Sequence, residues 1–151
     1  IRRGYPLSCF DAAAEELKNR EIPVIAHVIL GLPGEGREEI LETVRHLNQV
    51  GVQGVKLQLL HILKGTVLAE EYSKGRVPVL SREEYVSLAA DCLERLAPEI
   101  VIHRLTGDGS RQLLIAPEWS LQKKGVLNAI RREMKVRGSY QGCREGEGYG
   151  V

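Results

Sequence analysis

The chain has 151 residues, 43% hydrophobic and 27% charged, which suffices for one domain's core and is too polar for a bilayer-embedded protein. No apolar run approaches the roughly 18 residues that a membrane span needs. Lys and Arg total 21 against 20 for Asp and Glu, so whole-molecule attraction to nucleic acid or to an anionic membrane surface is excluded, and any polyanion site is local.

In chain order, Ser8 as a cap, Asp11 three residues on and the run Ala12, Ala13, Ala14 and Leu17 predict a helix over residues 8–20, stopped by Pro23. Val24 to Leu30 is an apolar run broken only by His27, which predicts a strand buried on both faces. It ends in the turn-rich loop Gly31-Leu32-Pro33-Gly34-Glu35-Gly36. A helix over 38–50 carries Ile40, Val44 and Leu47 on one stripe, with Gly51 at its stop. A second apolar strand spans 55–60, and His61 to Thr66 leads into a short helix ending near Gly75.

Ser81-Arg82-Glu83-Glu84 is a capping-box signature opening a helix to about Leu96, with Tyr85, Leu88, Ala89, Cys92 and Leu96 inward. Pro98 ends it, and residues 100–105 read as a third strand. Leu113, Leu114 and Ile115 form a short apolar element without an assignment. Residues 120–137 read as one amphipathic helix with Leu121, Val126, Leu127, Ile130 and Met134 inward; the five glycines of residues 138–151 predict disorder. Alternating helices and apolar strands call for an α/β fold with right-handed crossovers, about half of a (β/α)₈ barrel of roughly 250 residues.

Cys9, Cys92 and Cys143 stand far apart, with no C-x-x-C pair to suggest zinc or a redox dithiol, so a reduced cytoplasmic protein with inert thiols is expected. The chain begins at Ile1 with no charged-then-apolar leader, which reads as a fragment.

In parallel α/β folds ligands gather at the carboxyl ends of the strands. Three segments take that position: residues 31–36, residues 61–66, and Thr106-Gly107-Asp108-Gly109. The first lets backbone approach a flat ligand and precedes helix amides, although a tight strand-to-helix turn needs the same residues. His27, His61 and His103 each fall on or at the end of a different strand, where they could converge on a metal with Asp108; a strand histidine is more often a hydrogen-bonded core or substrate-contact group. Trp119 could stack on a base or simply pack. Residues 123–144 carry seven positive side chains against one acid, so Lys123, Lys124, Arg131, Arg132 and Lys135 are candidate RNA contacts, against the plainer reading of a solvated face.

The string Ile29-Leu30-Gly31-Leu32-Pro33-Gly34-Glu35 resembles the fifth-strand motif of radical S-adenosylmethionine enzymes, in the branch of oxygen-independent coproporphyrinogen oxidases and methylthiotransferases. Residues 56–66, 102–109 and 138–142 more specifically resemble the YhcC-like radical SAM family, over residues 1 to about 142. The resemblance implies the C-terminal half of a partial (β/α) barrel over residues 1–112, a C-terminal helical extension over 113–138 and a flexible tail over 139–151.

The resemblance also implies two cofactors, S-adenosylmethionine and a [4Fe-4S] cluster that together generate a 5'-deoxyadenosyl radical, and an electron donor such as flavodoxin or ferredoxin. The family's C-x-x-x-C-x-x-C cluster loop is absent here, so its ligands are expected upstream, no metal ligand is assigned and the fragment alone is expected to be inactive. Cofactor contacts fall on Arg3, His27, Gly31, Leu32, Pro33, Leu60 and His61, with Tyr5 departing from the family's histidine beside the arginine. His103 and Asp108 fall on the substrate side. Some relatives are linked to transfer RNA wobble-uridine modification, which would give the basic helix its partner. Two rival readings stand beside this one: a metal-dependent barrel hydrolase using His27, His61, His103 and Asp108, and a non-catalytic RNA-binding module.

Overall fold

A computed structural model describes residues 4–107 and 109–147. Three strands, β1 (Ile25–Leu30), β2 (Gly54–Leu59) and β4 (Val101–Arg104), form a parallel sheet in the order β1-β2-β4. Ile25 pairs with Gly54 and Leu30 with Leu59, and a register shift after Val55 brings Lys56 opposite Arg104. Helix α2 (Arg37–Val50) makes the first crossover, and α3 (Val67–Ser73) and α4 (Arg82–Arg95) lie in the second.

Among the described residues the sheet is covered on one face only. Along β1, Ala26, Val28 and Leu30 are buried while Ile25, His27 and Ile29 are exposed. This corrects the expectation of a strand buried on both faces: an unbroken apolar run does not by itself reveal that helices cover a single side. On the covered face Val55, Leu57 and Leu59 meet Ile40, Val44 and Leu47 of α2 and Tyr85, Ala89 and Cys92 of α4 in one core. Each aliphatic chain fully buried there contributes about 1.5–3 kcal/mol.

Helix α1 (Leu7–Asn19) begins after Pro6, so Ser8 is an intrahelical residue and not the cap. Gly51 closes α2 in the left-handed conformation at φ 69°, and Ser81 with Glu84 forms the capping box of α4 as its sequence implies. The unassigned apolar run Leu113–Ile115 overlaps a strand, β5 (Leu114–Ala116), antiparallel to β3 (Ile62–Leu63). With α3 it builds a second small core of Leu60, Ile62, Val77 and Ala116, against which Leu32 packs.

The predicted helix over 120–137 is divided: a 3₁₀ turn at Glu118–Leu121 precedes α5 (Lys123–Arg137). Val126 and Ile130 of α5 enter the main core. Residues 139–147 are docked, which corrects the expected disorder for that stretch. Gln141 Nε2 donates to the carbonyls of Ala97 and Ile100 at 2.8 Å, and Arg144 N donates to Glu94 O at 2.7 Å. Carbonyls freed at the end of α4 and in the loop after it take these donors, so a glycine-rich tail is held without apolar burial.

Candidate functional site

Because β1, β2 and β4 run parallel, the three loops that follow them open at one end of the sheet. The Leu60 N–H donates to Leu30 O at 3.0 Å and ties the first two together. Gly31 adopts φ +85°, a conformation that favours glycine, and a Cβ there would stand 3.0 Å from Leu80 Cδ1, so that side chain would have to give way. The start of α2 is partly self-satisfied. Glu39 accepts from Gly36 N at 2.8 Å, and hydrogen bonds from its own N–H and that of Gly36 hold its carboxyl below the usual range.

A cleft of about 490 Å³ beside β1 brings His27, Leu32 and Pro33 together with Phe10, Ile29 and Glu35. The other cofactor candidates lie elsewhere. Gly31 lines a separate hollow of about 290 Å³ on the helix side, with Leu80 and Asp91. Leu60 is buried in the second core, and Arg3 lies outside the described residues.

His61 stands beyond the end of β2, its ring held between two glycines. A Cβ on Gly107 would come within 2.4 Å of Cε1, and one on Gly109 within 3.2 Å of Cδ2. The buried hydroxyl of Ser120 lies 3.2 Å from His61 Nε2 and itself donates to Pro117 O at 2.8 Å. Its single proton is used there, so Nε2–H of His61 is the donor and Ser120 Oγ the acceptor. Burial, and then the Lys123 ammonium, push the imidazole pKa down.

His103 covers Gly54 at the opposite, amino-terminal end of β2, where a Cβ would lie 2.6 Å from its Cδ2. His27 lies mid-strand, bonded to Gln58 through Nδ1 at 3.1 Å. Five residues of strand separate Gly54 from Leu59, roughly 17 Å. The three histidines therefore do not converge, and among the described residues no group of three His, Cys, Asp or Glu side chains can hold a metal. This overturns the barrel-hydrolase reading; its fourth residue, Asp108, lies outside the described residues. The thiols do not suit an iron–sulfur cluster either: Cys9 is exposed, Cys143 half-buried, and Cys92 is in the core with its thiol pushed up to about 12 by burial.

On α5, Lys123, Lys124, Arg131, Arg132 and Lys135 are all exposed. Arg137, one of the seven positive residues counted over 123–144, turns inward to Asp91, Glu94 and Glu133 and does not belong to the exposed basic face. Trp119 packs on Tyr85 with ring centroids 5.4 Å apart and donates to Leu80 O, so it is part of the helix layer and not a base-stacking platform. Sequence reasoning missed Ser120, Gln58 and the carboxylates Asp91 and Glu94. Only Gln58 left a signal, since residues two apart on β2 share the face that carries Lys56.

The parallel sheet with helices packed on one face defines an α/β domain whose strand-end loops open on one side. Residues 52–136 match the Radical_SAM C-terminal domain, more than half of the chain, and the chain belongs to that family, in its YhcC-like branch. It is 44% identical to YtqA of Bacillus subtilis over 94% of this chain and 44% of that protein. It is 38% identical to MJ0486 of Methanocaldococcus jannaschii, over 95% of this chain and 45% of that protein, and 35% identical to YhcC of Escherichia coli K12, over 94% and 47%. The chain thus spans somewhat under half the length of these relatives. The structure of Methanocaldococcus infernus Elp3 with an N-terminal deletion superposes with a TM-score of 0.78 at 16% identity, over 93% of this chain and 33% of that one, a likeness of fold. Among the described residues no helix is long and apolar enough to cross a membrane.

Proposed function

We propose that this chain forms the later strands of a partial barrel in a radical S-adenosylmethionine enzyme, with the cleft beside His27, Leu32 and Pro33 receiving part of the cofactor. The observation that carries this reading is the bare sheet face: Ile25, His27 and Ile29 are exposed on a strand whose other side lies in the main core. A parallel strand with one uncovered face and a free edge is what a barrel interior becomes without its remaining strands.

S-adenosylmethionine would supply the radical-forming carbon–sulfur bond, and the iron–sulfur cluster the electron. The thiols of this chain do not fit the cluster, so its ligands are assigned to residues outside these 151. Within the chain, His27 offers a polar contact, Pro33 and Leu32 an apolar wall, and His61 a fixed, neutral imidazole at the same end of the sheet. The exposed basic face of α5 would meet RNA, in keeping with a transfer RNA substrate.

The test is complementation. The part of Bacillus subtilis YtqA that this chain does not match, mixed with it and reconstituted anaerobically with iron and sulfide, is expected to release 5'-deoxyadenosine from S-adenosylmethionine, with loss on His27→Ala. Cluster assembly and cleavage by these 151 residues alone would overturn the assignment of the ligands elsewhere.

A further inference from the structure

The open face of the sheet carries a specific arrangement of donors. His27 on β1 and Lys56 on β2 are register partners in the parallel pair, so their Cα atoms face each other across roughly 4.8 Å. Their neighbours along each strand, Ala26 and Val28, Val55 and Leu57, are buried on the other side, which places both side chains on the open face. One step on, Gln58 Nε2 lies 3.1 Å from His27 Nδ1. An amide nitrogen can only donate, so Nδ1 must accept, and the ring proton of His27 is held on Nε2. Gln58 thereby fixes the imidazole as an N–H donor beside the Lys56 ammonium.

Beside His27 and Lys56, β1, β2 and β4 contain no acid. His103, covering Gly54 on the same face, adds a further imidazole. Lys56 is half-buried on this face, and if the proposed barrel closes over it the ammonium would need an anionic partner, because an unpaired charge away from water is costly.

We infer that His27 and Lys56 form an oxyanion-binding pair, with Gln58 as the positioning residue that sets the tautomer of His27, and that the ligand bound over this face carries a carboxylate or phosphate. The inference shares His27 with the cofactor reading but names the charge of what it meets. The two fail separately, since anion binding is measured without cleavage of S-adenosylmethionine.

The experiment uses this chain and inorganic phosphate as the probe, at constant ionic strength and ~pH 8. Imidazole nitrogen and carbon shifts are expected to report the Nε2–H tautomer of His27 before any addition, and to move saturably with phosphate. Lys56→Gln should weaken the response about tenfold. Gln58→Leu should mix the tautomers and weaken it, while Gln58→Glu should abolish it. Repeating the titration with S-adenosylmethionine present separates two sources of one chemistry: competition assigns the position to the cofactor's carboxylate, and its absence to an oxyanion of the substrate. An Nδ1–H tautomer in the unmodified chain, or a phosphate response that Lys56→Gln leaves intact and that is lost instead with Lys124→Gln and Arg131→Gln, would overturn the proposal.

Discussion

Arg137, in the last turn of α5, places Nη1 2.7 Å from Asp91 Oδ1 and 3.3 Å from Glu94 Oε1, two carboxylates on successive turns of α4 that are almost wholly buried. Arg37 reaches Asp91 from α2 at 2.9 Å, and Arg144 reaches Glu94 from the tail at 3.5 Å. One buried acidic pair thus fastens three other segments to α4. Arg137→Met removes the central cation and leaves both charges underneutralised away from water, so a loss on the order of 3 kcal/mol is expected. Arg144, 45% exposed, should cost well under 1 kcal/mol when replaced by Met. Urea midpoints of the two variants test this, and equal losses would contradict the central role of Arg137.

The glycines flanking residue 108 are expected to differ in tolerance. Gly107→Ala sets a methyl 2.4 Å from His61 Cε1, whereas the nearest ring atom to a Gly109 methyl is at 3.2 Å. The first substitution must displace the ring or the loop and should cost about 1–3 kcal/mol; the second should cost less. The decisive measurement is a double-mutant cycle: His61→Ala removes the obstacle, so Gly107→Ala should be tolerated in that background. Additive losses would show that Gly107 is required by its backbone alone.

What the residues disclosed in advance follows their range of action. The capping box of Ser81 and Glu84, the left-handed Gly51 and the three parallel strands are local or periodic features, and they stand where the sequence puts them. Ser8 shows the limit even there: it has cap chemistry, but the helix starts earlier, with Pro6 at the cap position. Nothing in the string Leu113-Leu114-Ile115 announces that its partner is Ile62–Leu63, some fifty residues away. Arg137 reads as one more basic residue on α5 because its partners lie on another helix. Of the site, the loops were legible and the grouping of His27, His61 and His103 was not, since depth along a strand depends on register.

His61 predicts a pH dependence of stability. Its folded pKa lies below the ordinary 6.5, through burial first and the Lys123 charge second. Above 6.5 the ring is neutral folded or unfolded and stability is at its full value. As pH falls, the unfolded chain takes the proton first, so stability declines from about pH 6.5 down through the folded value. His61→Gln should flatten the change in urea midpoint between about pH 7.5 and 5 relative to the unmodified chain. An unchanged slope would mean that His61 does not govern it.

The basic face of α5 makes a prediction that separates RNA contact from simple solvation. Lys124, Arg131 and Lys135 are spaced by seven and four residues, which puts them on one stripe of a 3.6-residue helix, with Arg132 beside it. The acid of that helix, Glu133, is bonded to Arg137, so it does not lie between the cations as a counter-charge. If the stripe follows a phosphate backbone, transfer RNA binding should weaken with rising salt, and each Gln substitution on it should lower the slope of log K against log salt by about one. Lys18→Gln, on the far helix α1, should leave that slope unchanged. Retention of both affinity and slope in the triple variant would reduce the stripe to a hydrated surface, because counterion release scales with the number of phosphates neutralised and no other property of α5 would alter it.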